Sequence, residues 1–150
     1  MRNALCAECP WAMLWFVLSC EWEQPARVEE MYRLLYSWAR LSPMHAVQLL
    51  DHRFLDSKVR AVAVGHLEKL SDSDLQDLLY QLVYVLRYEK HEDNALARYL
   101  LRRGLTSPHT VGKQLVWYLH GAFLADPIVG AQCHRLLKVY LRSLPDNERV

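Results

Sequence analysis

Residues 71–89 read SDSDLQDLLYQLVYVLRYE, and this stretch carries the most regular pattern in the chain. Its apolar residues recur every three or four positions, a spacing that places side chains on one face of an α-helix. They are Leu75, Leu78, Leu79, Leu82, Val85 and Leu86. Ser71, followed three positions later by Asp74, comes close to the capping box that starts a helix. The stretch therefore predicts a helix at 72–89 with one wide face packed in a core.

The same helical spacing continues through nearly the whole chain, and the alternation typical of β-strands is absent. Three pairs, Ser42-Pro43, Ser107-Pro108 and Asp126-Pro127, place a capping side chain before a proline at the first helical position. Asp56 and Asp93 can cap the helices that follow them, and Gly104 falls where a left-handed helix end is expected. These signals predict helices near residues 10–20, 25–40, 43–51, 56–70, 72–89, 93–104, 108–122 and 127–143.

The predicted units have similar sizes but share no repeating sequence, and short loops join them. The fold class that fits is all-α, an irregular α-solenoid (an armadillo- or HEAT-like superhelix) of about eight antiparallel helices. No linker is long enough to divide it, so we expect one helical domain at residues 10–143. Residues 1–9 are poorly determined by the pattern, and residues 144–150 are predicted to form a frayed tail.

The composition of the 150 residues is that of a globular domain, with 52% hydrophobic and 23% charged residues. Because 18 Lys and Arg residues nearly balance 17 Asp and Glu residues, charge gives no reason to expect a nucleic-acid partner. The apolar run at 11–18 is far shorter than the roughly 20 residues of a spanning helix, so we expect a buried helix rather than a transmembrane or signal segment. The four cysteines form no disulfide framework, which favours reduced thiols in the cytoplasm.

Metal chemistry has one weak candidate, Cys6-Ala-Glu-Cys9, which has the spacing of half a zinc site. Cys20 and one of the seven histidines could supply the other ligands, but no second CxxC and no HxxxH is present. We therefore favour ordinary thiols, and a zinc-stapled domain or small zinc enzyme is a distant alternative. No metal residue is assigned.

The sequence offers equally few candidates for catalytic residues. Cys133 and His134 are neighbours on one helix, so their side chains diverge, and we expect Cys133 in the core and His134 near the surface. His66 lies on an apolar face and is predicted to be a core histidine. The sequence has no GxSxG, no GxxxxGK[ST] and no GxGxxG motif. No catalytic or cofactor-binding residue is assigned.

The remaining charged and aromatic residues have structural interpretations. The acidic pairs at 29–30, 72/74 and 92–93 are predicted to be caps and solvated faces. The cluster Arg98, Arg102 and Arg103 is predicted to lie in the last turns of its helix, where cations favour the dipole; contact with an acidic partner or a lipid head group is the alternative. The five tryptophans are predicted to fill the core at helix crossings. They are Trp11, Trp15, Trp22, Trp38 and Trp117.

Four ordered stretches resemble the accessory helical (PIK) domain of phosphoinositide kinases. Residues 51–64, DHRFLDSKVRAVAV, resemble its LLD…F…VR…AV segment, and residues 79–89, LYQLVYVLRYE, resemble LxQLVQxLKYE. Residues 96–105, LARYLLRRGL, resemble LARFLLxRAL, and residues 111–119 are similar to IG…FWHL. The resemblance covers about residues 10–143 and is closest to catalytic subunits of class I phosphoinositide 3-kinases.

Three departures from that pattern are local. Tyr84 stands where the family has a glutamine, Gly104 stands where it has an alanine, and the loop at 106–110 is one residue longer. None of them removes a helix.

This resemblance implies a non-catalytic scaffold domain of a phosphatidylinositol 3-kinase. The intact family enzyme phosphorylates the 3-hydroxyl of inositol lipids with ATP and magnesium, but those functions belong to a kinase domain that this chain does not match. The implied partners are the kinase and membrane-contacting domains of the parent chain and a regulatory subunit, with no nucleic acid and no transmembrane segment. The implied location is cytoplasmic, and peripheral at membranes for the intact enzyme.

One family contact is not carried over to this chain. Class I enzymes meet their regulatory subunit through an acidic segment before the helical domain, and residues 1–9 do not resemble it. The alternative function is a stand-alone α-solenoid interaction module without kinase activity. If neighbouring domains normally cover the helices, the isolated chain is expected to expose apolar patches.

Overall fold

The computed structural model describes residues 9–145, which form eight α-helices and no strand. The predicted all-α fold class is confirmed for this part of the chain. The helices are α1 Ala12–Leu18, α2 Pro25–Ser37, α3 Pro43–Gln48, α4 Ser57–Leu67, α5 Asp72–Val85, α6 Ala95–Thr106, α7 Lys113–Ala125 and α8 Pro127–Ser143. A 3₁₀ turn at Leu86–Tyr88 extends α5, and a π-helical segment at Pro108–Gly112 leads into α7. The predicted terminal segments lie outside the described residues except Cys9, Leu144 and Pro145, and Leu144 is buried.

The residues divide at Lys69–Leu70 into two compact units. In the first unit, α4 packs against both α2 and α3. In the second unit, α7 packs against α5 and α8, while α6 packs against α8 and the π-helical segment. Each unit has an aliphatic core; Leu35, Leu49 and Val59 are fully buried in the first, and Leu79, Leu82 and Leu115 in the second.

Most of the predicted helix starts are confirmed by their capping hydrogen bonds. Side-chain oxygens of Ser42, Asp56, Ser71 and Asp126 accept backbone N–H donors from the first turns of α3, α4, α5 and α8. These bonds satisfy amide groups that have no partner inside a helix. Such local signals are therefore reliable guides to where helices begin in this chain.

Two predicted caps are wrong. Asn94, not Asp93, caps α6 by accepting from the amide of Ala97 at 2.8 Å, while Asp93 pairs with Arg98. Ser107 makes no side-chain cap, because its hydroxyl donates to the carboxylate of Asp72. In both cases a stronger charged partner lies within reach, one on the following helix turn and one across the unit.

Gly104 does not end a helix, which corrects the prediction of a left-handed stop. Helix α6 continues to Thr106, and no glycine among the described residues has a positive φ. A Cβ at Gly104 would lie 2.9 Å from Cε2 of Tyr140 and 3.1 Å from Cδ2 of Leu115. Glycine is needed here because α6 approaches α8 closely, not because the backbone turns.

Four of the five tryptophans are not core residues, so that prediction is wrong for them. Trp15 and Trp117 are 67% and 75% exposed, and Trp11 and Trp22 are exposed as well. Only Trp38 is partly buried, with its ring centroid 5.2 Å from that of Phe16. The largest fully buried aromatic side chains are instead Tyr99 and Tyr140.

Within the apolar run at 11–18, helix α1 likewise has one buried face and one exposed face. Met13, Leu14 and Val17 are buried as predicted, but the face that carries Trp15 is open. No helix among residues 9–145 combines the length and apolar character needed to cross a bilayer.

Arg60 is buried within the first unit, with an exposed fraction of 2%. Its Nη1 atom donates to the carbonyl oxygen of Leu50 at 2.7 Å and to that of Phe54 at 3.1 Å. Both carbonyls belong to the connection between α3 and α4, which leaves them outside the regular hydrogen bonds of a helix. Arg60 therefore holds this connection against α4.

Candidate functional site

The Cys133–His134 pair has no geometry for nucleophilic catalysis. Cys133 is fully buried in α8, and burial, reinforced by Asp126, raises the pKa of its thiol to about 11. A reactive cysteine needs a lowered pKa and access to solvent. His134 points elsewhere and stacks on Phe123, with ring centroids 4.5 Å apart. The predicted core placement of Cys133 is confirmed.

His66 is half-buried in the first unit, where its Nδ1 accepts a hydrogen bond from the amide of Leu41 at 3.3 Å. This bond ties the end of α4 to the connection before α3. It requires an unprotonated Nδ1, and burial together with the nearby charge of Arg40 lowers the pKa of His66. The histidine therefore acts as a structural acceptor, in line with the predicted core role.

Acid should weaken this contact and destabilise the protein. The pKa of His66 is lowered by folding, so the unfolded chain binds the proton more readily. The contribution of neutral His66 is complete above the ordinary histidine pKa of about 6.5 and is lost as pH falls from there toward the folded-state pKa. We expect His66→Gln, which keeps an acceptor but cannot titrate, to flatten the dependence of urea midpoint on pH in this window. An unchanged pH profile would show that His66 does not carry the effect.

Five of the six carboxylates at 29–30, 72/74 and 92–93 lie at a helix start or on an exposed surface, as predicted, whereas Asp72 belongs to a polar cluster that reaches across the second unit. On exposed helix faces, Glu29 pairs with Arg33 and Glu30 with Arg27. Asp74 accepts from Ser71 near the start of α5, and Glu92 pairs with Arg135. No two of these carboxylates share a cleft that would divide acid and base roles between them.

Asp72 anchors a polar cluster of the second unit. It accepts from the hydroxyl of Ser107 and, at 2.8 Å, from the guanidinium of Arg103, which also donates to the carbonyl of Leu70. The Ser107 hydrogen bond and the Arg103 contacts lower the pKa of Asp72. The cluster joins the start of α5 to the end of α6, so its evident role is to fasten helix ends together.

The structure partly corrects the prediction that the basic cluster lies in the last turns of α6. Arg103 lies in the last turn of α6, as predicted, but Arg98 lies in the first turn, where a cation is unfavourable for the dipole. Arg98 is held there by Asp93, with the paired atoms 2.5 Å apart. The dipole therefore does not account for Arg98.

The metal candidate cannot be assembled from the described residues. Cys6 lies outside them, and Cys9 and Cys20 are half-buried free thiols. Within residues 9–145, no group of three or more His, Cys, Asp or Glu side chains is placed to hold a metal ion.

Two further long-range contacts also escaped the sequence interpretation. Tyr32 of α2 donates to Asp56 at 2.7 Å, with the ammonium of Lys58 4.3 Å from the Tyr32 ring centroid. Burial and this hydrogen bond raise the pKa of Tyr32. Arg87 of the second unit pairs with Asp126 at 2.6 Å. Both carboxylates were recognisable as caps, but nothing local in the sequence indicates their second partners.

Asp126 should contribute more to the free energy of unfolding than a cap alone, because it holds both the start of α8 and the side chain of Arg87. We expect Asp126→Ala to lower the free energy of unfolding by about 2 kcal/mol, since cap removal costs about 1 kcal/mol and the partly buried pair adds to it. Asp126→Asn keeps the cap and should lose roughly half as much. Urea titrations followed by circular dichroism measure both. Equal losses for the two variants would contradict a separate role of the ion pair.

Exposed apolar surfaces are the distinctive feature of the part of the chain that the structure describes. In the first unit, Trp11, Trp15, Leu18 and Trp22 are all exposed and follow one another at helix-like spacing; we call this set the α1 stripe. Isolated exposed apolar residues are ordinary, but three exposed tryptophans and a leucine within residues 11–22 are not.

The second unit carries an equally apolar surface along α7 and the start of α8. A groove of about 410 Å³ runs between α5 and α7, walled by Tyr80, Tyr84 and Trp117 and floored by small residues that include Gly121 and Ala125. We call it the α5–α7 groove. Beyond it, Leu124 and Ile128 are 71% and 86% exposed. Large side chains in this state are typical of surfaces that another protein segment covers.

The sequence model of one protein family matches residues 1–150, and its description is "Phosphoinositide 3-kinase family, accessory domain (PIK domain)". The chain belongs to this family. Similar curated proteins from Dictyostelium discoideum include Phosphatidylinositol 3-kinase 2, 34% identical over 134 residues that make up 89% of this chain and 7% of that protein. Phosphatidylinositol 3-kinase 1 is 39% identical over 125 residues, 83% of this chain and 8% of that protein. The chain thus spans less than a tenth of the length of the curated relatives it matches.

The three places where this chain differs from the PIK family pattern can be located in the structure. Tyr84, which replaces a glutamine of the family pattern, forms a wall of the α5–α7 groove with the guanidinium carbon of Arg87 3.9 Å from its ring centroid. Gly104 is needed for the close approach to Tyr140. The loop at 106–110, which we predict to be one residue longer than in the family, overlaps the π-helical segment of this PIK domain.

Proposed function

We propose that the chain is a non-catalytic helical scaffold domain of a phosphatidylinositol 3-kinase. The observation that carries the proposal is the family match over residues 1–150, together with two large apolar surfaces on the described residues. A scaffold needs stable helices inside and surfaces outside on which other domains rest, and this chain has both.

The α1 stripe supports this proposal through its composition. Three tryptophans and a leucine present a large apolar area at low conformational cost, which suits a surface that is covered permanently. No lysine or arginine lies among residues 9–26, and Glu21 and Glu23 flank Trp22, so attraction to an anionic membrane is not favoured. The occupant we propose is another domain of the parent chain.

The α5–α7 groove and the exposed start of α8 supply the second such surface. Trp117 and Leu124 project from α7, and Ile128 lies in the first turn of α8. The loop between these helices is capped by Asp126, which also pairs with Arg87. The surface is therefore firmly held, as an interface between domains requires.

The activity of the parent enzyme is part of the proposal. The enzyme would phosphorylate the 3-hydroxyl of inositol lipids, with ATP and magnesium bound by a separate kinase domain. Its other partners would be a membrane-contacting domain and a regulatory subunit. We propose a cytoplasmic enzyme that attaches peripherally to membranes.

A chimeric enzyme tests the scaffold role directly. The corresponding region of Phosphatidylinositol 3-kinase 2 from Dictyostelium discoideum is replaced by this chain, and lipid phosphorylation is measured with radiolabelled ATP and phosphatidylinositol vesicles. We expect the chimera to be active and the Trp117→Ser, Leu124→Ser double variant to lose at least about tenfold in activity. The control Lys113→Ser alters the same helix without removing apolar area. A double variant as active as the control would overturn the proposed role of this surface.

The isolated chain provides two further tests. Incubated with ATP, magnesium and phosphatidylinositol vesicles, it should make no product, and measurable turnover would contradict the non-catalytic role. Its uncovered surfaces should bind a hydrophobic dye and promote self-association. A clean monomer that binds no dye would favour a stand-alone interaction module instead.

A further inference from the structure

An open cavity of about 500 Å³ lies in the first unit, between the end of α2 and helix α4. On the α2 side it is lined by the aromatic rings of Tyr36 and Trp38. On the α4 side it is lined by short side chains, those of Ala61, Val62 and Gly65. A Cβ at Gly65 would have no neighbour within 4 Å, so the space above this side is open. We call this feature the α2–α4 cavity, and its shape suits a flat apolar group.

Two polar side chains of the α2–α4 cavity present hydrogen-bond donors. His66 accepts from the amide of Leu41 at Nδ1, so its proton lies on Nε2, which is a donor. Arg40 is exposed, and its positive charge is near enough to His66 to lower the pKa of that histidine. Among the residues that the structure describes, no carboxylate lines the cavity, and Glu68, which follows α4, is not part of it. An occupant with acceptor atoms and negative charge therefore fits these side chains.

Trp38 adds a donor for which the described residues supply no acceptor. Its Nε1 atom is sealed from solvent, and no acceptor within residues 9–145 lies at hydrogen-bonding distance. An N–H group buried in this state costs free energy, and native proteins rarely contain one. The ring as a whole is only partly buried and rests on Phe16, with the two ring centroids 5.2 Å apart. Because the ring borders the cavity, a rotation of the indole would bring Nε1 to an acceptor placed there.

We propose that the α2–α4 cavity binds a small aromatic carboxylate. The flat ring of such a ligand would lie between the aromatic side chains of α2 and the short side chains of α4. Its carboxylate would accept hydrogen bonds from Nε2 of His66 and from the rotated indole of Trp38. Arg40 would supply the opposite charge, which strengthens the recognition of an ionised group.

The number of donors favours a carboxylate over a phosphate. A carboxylate has two oxygen atoms and one negative charge, which one guanidinium and two N–H donors match. A phosphate carries a larger charge and would need further cations, which the lining of the cavity does not supply among the described residues. The inference does not depend on the proposed function, since no lining residue of the cavity belongs to the α1 stripe or to the α5–α7 groove.

The test uses the whole chain, labelled with ¹⁵N, and 2-naphthoate as the probe. A two-dimensional NMR spectrum shows the indole N–H signals, and Trp38→Phe identifies the signal of Trp38. We expect 2-naphthoate to move this signal downfield, because Nε1 gains a charged acceptor, while the other four indole signals move little. The neutral 2-naphthylmethanol and the cationic 2-naphthylmethylamine carry the same rings, and we expect both to bind at least about tenfold more weakly.

Two variants with matched controls locate the binding site. Gly65→Leu fills the open space of the cavity and should weaken binding of 2-naphthoate at least about tenfold. Its control is Gly121→Leu in the second unit, where a Cβ likewise has no neighbour within 4 Å. Arg40→Gln should weaken binding severalfold, whereas Arg33→Gln, which removes the same charge from an exposed position of α2, should not. Thermal unfolding followed by circular dichroism checks that each variant remains folded.

Several results would overturn the proposal. One is an indole signal of Trp38 that 2-naphthoate does not move, and another is equal binding of the three probes, which would show that the rings alone determine affinity. Binding that is lost in Gly121→Leu but kept in Gly65→Leu would place the probe in the α5–α7 groove instead. Tighter binding of a short peptide that ends in phenylalanine than of 2-naphthoate would assign the cavity to the carboxyl terminus of a protein rather than to a small molecule.

Discussion

Gly112→Ala should destabilise the protein by about 3 kcal/mol, because it overpacks a crowded contact in the second unit. A Cβ at Gly112 would clash with Oη of Tyr140 and would lie 2.8 Å from the carbonyl oxygen of Gly104. The Tyr140 side chain has no room to withdraw, since it is buried and its hydroxyl donates to that same carbonyl at 3.2 Å. Accommodating one methyl group therefore requires the π-helical segment to move away from α6 and α8. Urea denaturation followed by circular dichroism measures the loss.

The matched control is Gly121→Ala, also in the second unit. A Cβ at Gly121 would have no neighbour within 4 Å, so alanine adds no clash. Because alanine favours a helix over glycine, this variant should gain up to about 1 kcal/mol. Similar effects of the two substitutions would show that helix propensity, rather than the approach to Tyr140, governs these positions.

Arg60→Met should cost about 3 kcal/mol, the second of the two largest expected effects. The substitution keeps much of the apolar stem but removes the donors that serve the carbonyl oxygens of Leu50 and Phe54. Because Arg60 is buried, water cannot easily replace them. The free energy of unfolding from urea titration is the measure.

Arg53→Met removes the same charge from an exposed neighbour and provides the comparison. Arg53 is about half exposed and pairs with Asp51 at 3.4 Å, a geometry that contributes little to stability. We expect a change within about 0.5 kcal/mol. If Arg60→Met were as mild as Arg53→Met, the contacts to the α3–α4 connection would not matter to the fold.

Helix positions were predictable because the signals that set them are local. Ser42, Asp56, Ser71 and Asp126 each accept hydrogen bonds from amides two or three residues ahead, so their role can be read from a few letters of sequence. The error at Gly104 has the opposite origin. Its neighbour Tyr140 lies 36 residues away, and no local pattern reports a contact of that kind.

The positions of the tryptophans were predicted wrongly for a related reason. Hydrophobicity predicts that a large aromatic side chain is covered, but it does not say by what. Trp15 and Trp117 lie on helices whose opposite faces already fill the core, so these rings remain outside it. The prediction of exposed apolar patches, which followed from the family resemblance, anticipated this outcome better than composition did.

The candidate surfaces also could not be predicted from local sequence patterns. Periodicity separates the two faces of α8 but cannot reveal that Arg135 meets Glu92, or that Arg98 and Arg135 wall one groove. Those facts depend on which helices become neighbours. In this chain, the parts of function that depend on surface shape required the structure.

The π-helical segment at Pro108–Gly112 bears on how such domains tolerate changes in length. An extra residue inside an α-helix rotates everything after it by about 100°, which would carry Leu115 and Leu119 away from the centre of their unit. A wider π-helical turn can take up one extra residue locally, and both leucines downstream of it are fully buried in this chain. We therefore expect that a residue added to or removed from this segment would leave the packing of α7 largely unchanged.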